Sequence, residues 1–215
     1  MRIAILGASG RTGVHAVKHA LANGHDVTAF ARTPAKIGMA HARLKAIALD
    51  LSTADAEQAM TASFADTDAV ISTLGPDKPG NPAVMAIAAE RLIAAAKRAG
   101  VKRIIWMTGA AVKLPGDAPS AIRTIVRGIM KLVAGAVLAD SEKAARAVAA
   151  SGLDWTLVRA PMLNDDPPSG RLSASDIPPR PAALSRDEIA AFLIDCAERN
   201  LFVEAAPFLS LGEAK

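Results

Sequence analysis

Apolar residues along this chain fall into short unbroken runs, separated by stretches in which they recur every three or four positions. RIAIL, DVTAFA, LKAIAL, AVIST, RIIWM and WTLVR occupy residues 2–6, 26–31, 44–49, 69–73, 103–107 and 155–159. Runs of five or six residues without polar alternation predict strands buried on both faces. Helical spacing between them predicts helices over 13–23, 53–62, 82–99, 120–150 and 186–200. A weaker final strand falls in PFLSLG, residues 207–212. This alternation, without an internal repeat, predicts an α/β fold over residues 1–215: one three-layer, doubly wound parallel sheet of Rossmann type with helices on both faces. Ser52 or Thr53 is placed to cap the second helix, which carries Asp55 and Glu57, and Ser185 to cap the last, with Glu188 three residues on. Asn23-Gly24 and Ala99-Gly100 supply helix stops.

Two segments break the rhythm, GPDKPGNP at 75–82 and the Pro-, Asp- and Ser-rich 160–184. Both follow strand ends, where open α/β sheets place their ligand crevice, so they are expected to wall a substrate site together with 109–119. The helical stretch 121–138 carries Arg123, Arg127 and Lys131 at four-residue spacing, with apolar residues opposite. That pattern predicts a surface helix packed on the domain through its apolar face. A membrane-surface contact, a substrate-side lid and a dimer face are the other readings of the same stripe.

The first strand runs into ILGASGRTG and then a helix. In G-x-x-G-x-x-G at this place, Gly7 permits the tight turn, Gly10 lets a pyrophosphate approach the backbone, and Gly13 lets helix and strand pack closely. The helix N-terminus offers N–H groups and partial positive charge to phosphate, and Ser9, Arg11 and Thr12 can add side-chain donors. The second strand ends in VTAFART. A carboxylate there would accept the adenosine ribose hydroxyls and repel a 2′-phosphate. Arg32 stands in its place, and a guanidinium binds phosphate in bidentate fashion, so NADP(H) is expected over NAD(H). Asp50 ends the third strand within reach of an adenine amino group, or as a turn residue.

Composition narrows the class. The chain has 215 residues, 51% hydrophobic, enough for a self-sufficient core. Lys and Arg exceed Asp and Glu by 25 to 21 without clustering, and aromatics are 3%, which argues against a nucleic-acid partner. No window is apolar enough to span a membrane, and the short apolar start is no signal peptide. The single Cys196 forms no internal disulfide and suits a reducing, cytoplasmic setting as a small buried residue. His15 and His19 lie one turn apart with no local carboxylate or cysteine, His25 and His41 fall in a turn and a loop, and no metal is expected.

GASGRTG, VTAFAR, ISTLG, PAVM at 82–85, GVKRIIWMTGA and SGLDWTLVRAPML together resemble the atypical short-chain dehydrogenase/reductases, in particular the NmrA-like and flavin reductase/biliverdin reductase B-like proteins. The resemblance spans nearly the whole chain and implies a doubly wound NADP-binding fold. It implies that Gly7, Ser9, Gly10, Arg11, Thr12, Arg32, Asp50, Leu51, Ser72, Thr73, Leu74, Gly75, Thr108 and Pro161 line the cofactor. The departures bear on chemistry. Short-chain dehydrogenases use a Tyr-x-x-x-Lys pair to move a proton at a carbonyl oxygen, and this chain has no tyrosine. The serine and histidine of the biliverdin-reductase-like members are replaced by Gly109 and Met162. The remaining candidates for proton chemistry are Thr108, Lys113 and Lys143. Two functions stay open: a reductase passing hydride from NADPH to a small conjugated acceptor such as a flavin or quinone, and a non-catalytic NmrA-like sensor of NADP(H). Either is compatible with a monomer or a homodimer.

Overall fold

The computed structural model describes residues 1–75, 84–178 and 182–212. The elements in chain order are β1 (Arg2–Leu6), α1 (Arg11–Ala22), β2 (Asp26–Ala31), β3 (Leu44–Ala48), α2 (Ala56–Ser63), β4 (Ala69–Ser72), α3 (Val84–Ala99), β5 (Arg103–Gly109), α4 (Ala121–Ala149), β6 (Asp154–Ala160), β7 (Met162–Asn164), β8 (Leu172–Ser175), β9 (Ala183–Ser185), α5 (Arg186–Glu198) and β10 (Phe208–Leu211). A 3-10 turn, Pro34–Ile37, follows β2. Eight strands form one sheet in the order β3-β2-β1-β4-β5-β6-β10-β8, parallel except for β8, which runs antiparallel to β10. The strand order reverses between β1 and β4. Doubly wound sheets open their ligand crevice at that reversal, outside the carboxyl ends of the strands.

Each central strand feeds two cores because its side chains alternate between faces. On β1, Ala4 and Leu6 join Val70, Ile104, Trp106 and Leu157 beneath α2, α3 and α4. Ile3 and Ile5 join Ile71, Ile105 and Val158 beneath α1 and α5. Burial of each large aliphatic side chain contributes about 1.5–3 kcal/mol relative to exposure, so an unbroken apolar run is what a strand covered twice requires. The fold class and the seven strands expected from periodicity are present.

Three local expectations are corrected. Ser52 and Thr53 do not cap α2, which begins at Ala56 with no side-chain cap. Both instead fold around Asp50: Ser52 donates its N–H (2.9 Å) and Oγ (2.7 Å) to Asp50 Oδ1, and Thr53 Oγ1 donates to the Asp50 carbonyl. Nor does Ser185 cap α5 with its side chain; its Oγ donates to the Asp166 carbonyl at 2.7 Å, and Glu188 accepts from Ser169 and from the Leu172 N–H. Within 160–184, read as irregular, lie β7 and β8 and the start of β9; β7 and β9 form a separate two-stranded parallel sheet. Three-residue strands are made by their partners and leave no periodicity to read.

The largest correction concerns α4. The backbone leaves helical geometry at Ala134 (φ −147°, ψ 40°), dividing the element in two. Arg127 reaches Glu142, fifteen residues on, which a straight helix rising about 1.5 Å per residue would place some 20 Å away. The C-terminal half packs inward through Leu138, Ala144, Ala145 and Val148. Its Asp140, buried, accepts the N–H groups of Met85 (2.8 Å) and Ala86 (3.1 Å) at the start of α3. In the N-terminal half two of the three stripe residues, Arg123 and Arg127, turn inward, while Lys131 stays exposed. Arg123 is buried, and Ile125, Ile129, Leu132 and Val133 are exposed. The reason is a pair of largely covered acids that these two arginines meet: Asp117 for Arg123 and Glu142 for Arg127.

Asp117 sits between two arginines. Its Oδ2 accepts from Arg123 at 2.7 Å and its Oδ1 from Arg159 of β6 at 2.6 Å, while the Arg159 guanidinium lies 3.6 Å from the Phe208 ring centroid. Burial pushes the Asp117 carboxyl up, but the Leu114 N–H and the two guanidiniums outweigh it and hold the carboxyl below its ordinary value. Its contribution to stability is therefore present above the ordinary carboxylate value of about 4 and is lost as pH falls through the lower folded value. Removing the charge strands two buried cations. Asp117→Asn is expected to cost about 3–5 kcal/mol in urea unfolding at neutral pH and to flatten the acid limb of the stability curve. A variant within 1 kcal/mol of wild type would show that the arginines find other partners.

Candidate nucleotide-binding site

The turn after β1 is shaped by close backbone contacts. Gly7 has φ 76°, in the left-handed region, and its carbonyl accepts the Gly10 N–H at 2.8 Å. Thr73, just beyond β4, pins the turn: its Oγ1 donates to the Leu6 carbonyl at 2.9 Å and lies 3.3 Å from that of Gly7. A Cβ on Gly13 would lie 2.1 Å from the Gly7 carbonyl oxygen and 2.8 Å from Ala8 Cα. Only a bare backbone lets α1 start this near β1. At Gly10, which precedes α1, no side chain caps the helix, and its first turn holds no acid. The N–H groups and positive end of the helix dipole are thus left facing the crevice.

That crevice encloses about 820 Å³. Its floor is Gly7, Ser9, Gly10, Arg11 and Thr12; one end is Arg32, Asp50 and Leu51; the β4 end contributes Thr73, Leu74 and Gly75. All these were singled out from sequence, and the fold brings them to one cleft. Four others do not line it. Gly13 is buried under the turn in its packing role, Ser72 is fully buried within β4, and Thr108 and Pro161 lie on and after the ends of β5 and β6. Lys113 and Lys143 lie outside it as well. Lys113 is exposed, and the Lys143 ammonium pairs with Glu90 at 3.3 Å on the outer surface. Neither is placed as a proton donor. Of the three segments expected to wall a substrate, 76–82 lies outside the described residues; 109–119 gives no lining residue, and 160–184 gives Leu163.

Sequence reasoning missed Lys36, Met107, Leu163 and Arg186, all of which line the cleft. Lys36 lies in the 3-10 turn that follows Arg32, and the TP step of ARTPAKIG was the available signal. Arg186 had none. It begins α5 and comes to the cleft through the β7–β9 pairing; it donates to Asp165 at 2.7 Å and to the Leu163 carbonyl at 3.2 Å. Asp165 also lies 3.8 Å from Arg11, an exposed contact worth at most about 1 kcal/mol. It links the glycine turn to the far wall of the cleft.

Electrostatics sort the two ends. At the Arg32 end, the Ser52 backbone and hydroxyl hydrogen bonds, with help from Arg32 and Arg91, hold the Asp50 carboxyl below its ordinary range. The loop carrying Asp50 is fixed from behind by Arg91, which donates to the Leu51 and Thr53 carbonyls. Beside Leu74, the lining residues Val84, Ile87, Met107 and Leu163 are apolar, and Arg186 is the ionisable group near them. Elsewhere, His15 and His19 share Asp187 Oδ1 at 2.8 and 3.0 Å, joining α1 to α5. Among the described residues no group of three or more His, Cys, Asp or Glu is placed to hold a metal ion. Cys196 is buried, and burial pushes its thiol up to about 12. No described helix is long and apolar enough to cross a membrane.

Residues 7–200 match a family described as NAD(P)H-binding. The chain belongs to that NAD(P)H-binding family. Solved structures agree on its fold. The oxidoreductase ylbE from Lactococcus lactis superposes with a TM-score of 0.81 at 18% identity, over 100% of this chain and 92% of that one. A Rossmann-fold NAD(P)-binding family protein from Shigella flexneri gives 0.73 at 23% identity, over 100% and 96%. A short-chain dehydrogenases/reductase from Veillonella parvula gives 0.73 at 18%, over 99% and 94%. The resemblance drawn from GASGRTG and its companion motifs therefore holds at the level of family and fold. In this NAD(P)H-binding protein the glycine contacts make a graded prediction. Gly13→Ala is expected to lower the melting temperature substantially. Gly10→Ala, whose Cβ would meet only the Gly7 carbonyl at 3.1 Å and otherwise enter the cleft, is expected to spare the fold and weaken nucleotide binding. Equal melting losses for the two, read by circular dichroism, would contradict this assignment of roles.

Proposed function

We propose that this chain, acting as one nucleotide-binding domain, is an NADPH-dependent reductase that delivers hydride to a small conjugated acceptor such as a flavin or quinone. The observation that carries the reading is the open α1 N-terminus above a glycine cradle, facing a cleft of about 820 Å³ with Arg32 and Lys36 at one end and apolar walls at the other. The size fits a dinucleotide with room for a planar acceptor. The donors fit a diphosphate: backbone N–H groups of α1 supplemented by Ser9, Arg11 and Thr12. Arg32 and Lys36 hold the 2′-phosphate of NADP(H), where a carboxylate at the end of β2 would have repelled it. Asp50, kept ionised by Ser52, orients the adenine end.

When bound, the nicotinamide supplies the hydride. Leu74, Met107 and Leu163 exclude water around the transfer and accept a flat apolar partner. No tyrosine exists to protonate a carbonyl oxygen, and no lysine or histidine of the described residues lines that end of the cleft. This favours acceptors whose reduced form takes its proton from solvent over isolated ketones. It also keeps in view an NmrA-like sensor that binds NADP(H) without turnover.

Two measurements test the reading. Arg32→Ala is expected to weaken NADPH binding about tenfold to a hundredfold and to leave NADH nearly unchanged, as removal of a charged phosphate contact should. Tighter NADH than NADPH binding by the wild type would overturn the cofactor assignment. NADPH oxidation is then followed against flavins, quinones and biliverdin. Binding without reduction of any acceptor would replace the reductase with the sensor.

A further inference from the structure

The N-terminal half of α4 presents its apolar side outward. Ile125, Ile129, Leu132 and Val133 are 64%, 59%, 89% and 77% exposed. Together they offer about 500 Å² of apolar surface, as much as the largest patch a monomer ordinarily leaves open. Their spacing is i, i+4, i+7 and i+8, a single stripe on the helix. Beside the stripe Gly128 is exposed, and a Cβ built there would have nothing within 4 Å.

We propose that this half-helix is a self-association surface on which a second copy of the chain docks, pairing α4 with α4 about a two-fold axis. Area supports the occupant. Two such stripes, with their small neighbours Ala121 and Gly128, bury more than about 1,000 Å² in total, the size a specific interface must clear. Shape supports it too: Ile129 and Leu132 project from the helix, and bare Gly128 beside them leaves open space in which a facing side chain can seat, as a self-complementary patch under two-fold symmetry requires. Charge argues against a lipid surface. Interfacial helices carry cations flanking the apolar face. Here Arg123 and Arg127 are turned inward onto Asp117 and Glu142, leaving Lys131 as the exposed cation of residues 121–133. The inward ion pairs are also what hold the apolar side out, since rolling the helix over would bury the stripe but break both.

Sedimentation velocity of the full chain across micromolar concentrations tests the proposal. Wild type is expected to be a dimer, and Leu132→Glu, at an almost fully exposed position, to raise the dimer dissociation constant at least about a hundredfold with the far-ultraviolet spectrum unchanged. Should that variant fold poorly, Gly128→Cys gives an independent readout: a short bis-maleimide should link it into dimers, since the other thiol, Cys196, is buried. A wild type that stays monomeric at every concentration overturns the proposal. So does a dimer that neither Leu132→Glu nor Ile129→Glu weakens. A monomer that co-sediments with anionic phosphatidylglycerol vesicles, and loses this with Leu132→Glu, overturns it in favour of a lipid partner.

Discussion

The approach of α1 to the end of β1 is the constraint from which the site follows. With a Cβ on Gly13 2.1 Å from the Gly7 carbonyl, any side chain there would push the helix off the strand. At the observed distance, the helix axis aims its N–H groups at the point where the sheet reverses direction. The anion site is thus a property of backbone placement, and the side chains around it tune what enters. Thr73 ties the same turn to the strand across the reversal, so β1, β4 and α1 position the crevice as one unit.

A second constraint lies inside the protein on the β6 side. Asp117 neutralises one of two buried guanidiniums, and Phe208 stacks against the other partner of that carboxylate. Ion pairs of this kind add little net stability against an apolar alternative but are costly to break. Their effect is positional. They fix the loop after β5 and the roll of the first half of α4, which cannot turn its apolar side inward without breaking both the Arg123–Asp117 and the Arg127–Glu142 pair.

The parts of the fold written into local pattern were legible, and those made by distant partners were not. β1, β4, β5 and β6 each needed apolar residues on both faces, which gives short β-branched-rich runs whose length reads as buried strand. The glycine turn was legible because a single steric demand at Gly13 admits one residue type. β7 and β9 escaped notice because three residues carry no period and their pairing joins positions about twenty apart. Arg186 came to the cleft through that pairing. The roll of α4 was misread because amphipathicity says that a helix has two faces but not which is inside. Asp117 and Glu142 decided it, one before the helix and one beyond its kink. Likewise Ser52 and Thr53 were plausible caps until Asp50 offered them a nearer acceptor.

This division explains why the cofactor half of the site is more firmly specified than the acceptor half. A diphosphate is held by N–H groups that every residue possesses, so the cradle survives any substitution that spares its glycines. Proton transfer at a carbonyl needs one side chain of matched pKa at one position, and a single replacement removes it. With no tyrosine, the chain keeps the glycines of the cradle and lacks the Tyr-x-x-x-Lys pair. What remains at the acceptor end is a set of apolar walls and one arginine, whose guanidinium is already engaged by Asp165 and the Leu163 carbonyl. On the proposed reductase reading, such a surface would select by shape and flatness and suit an acceptor whose own conjugated system absorbs the incoming electron pair.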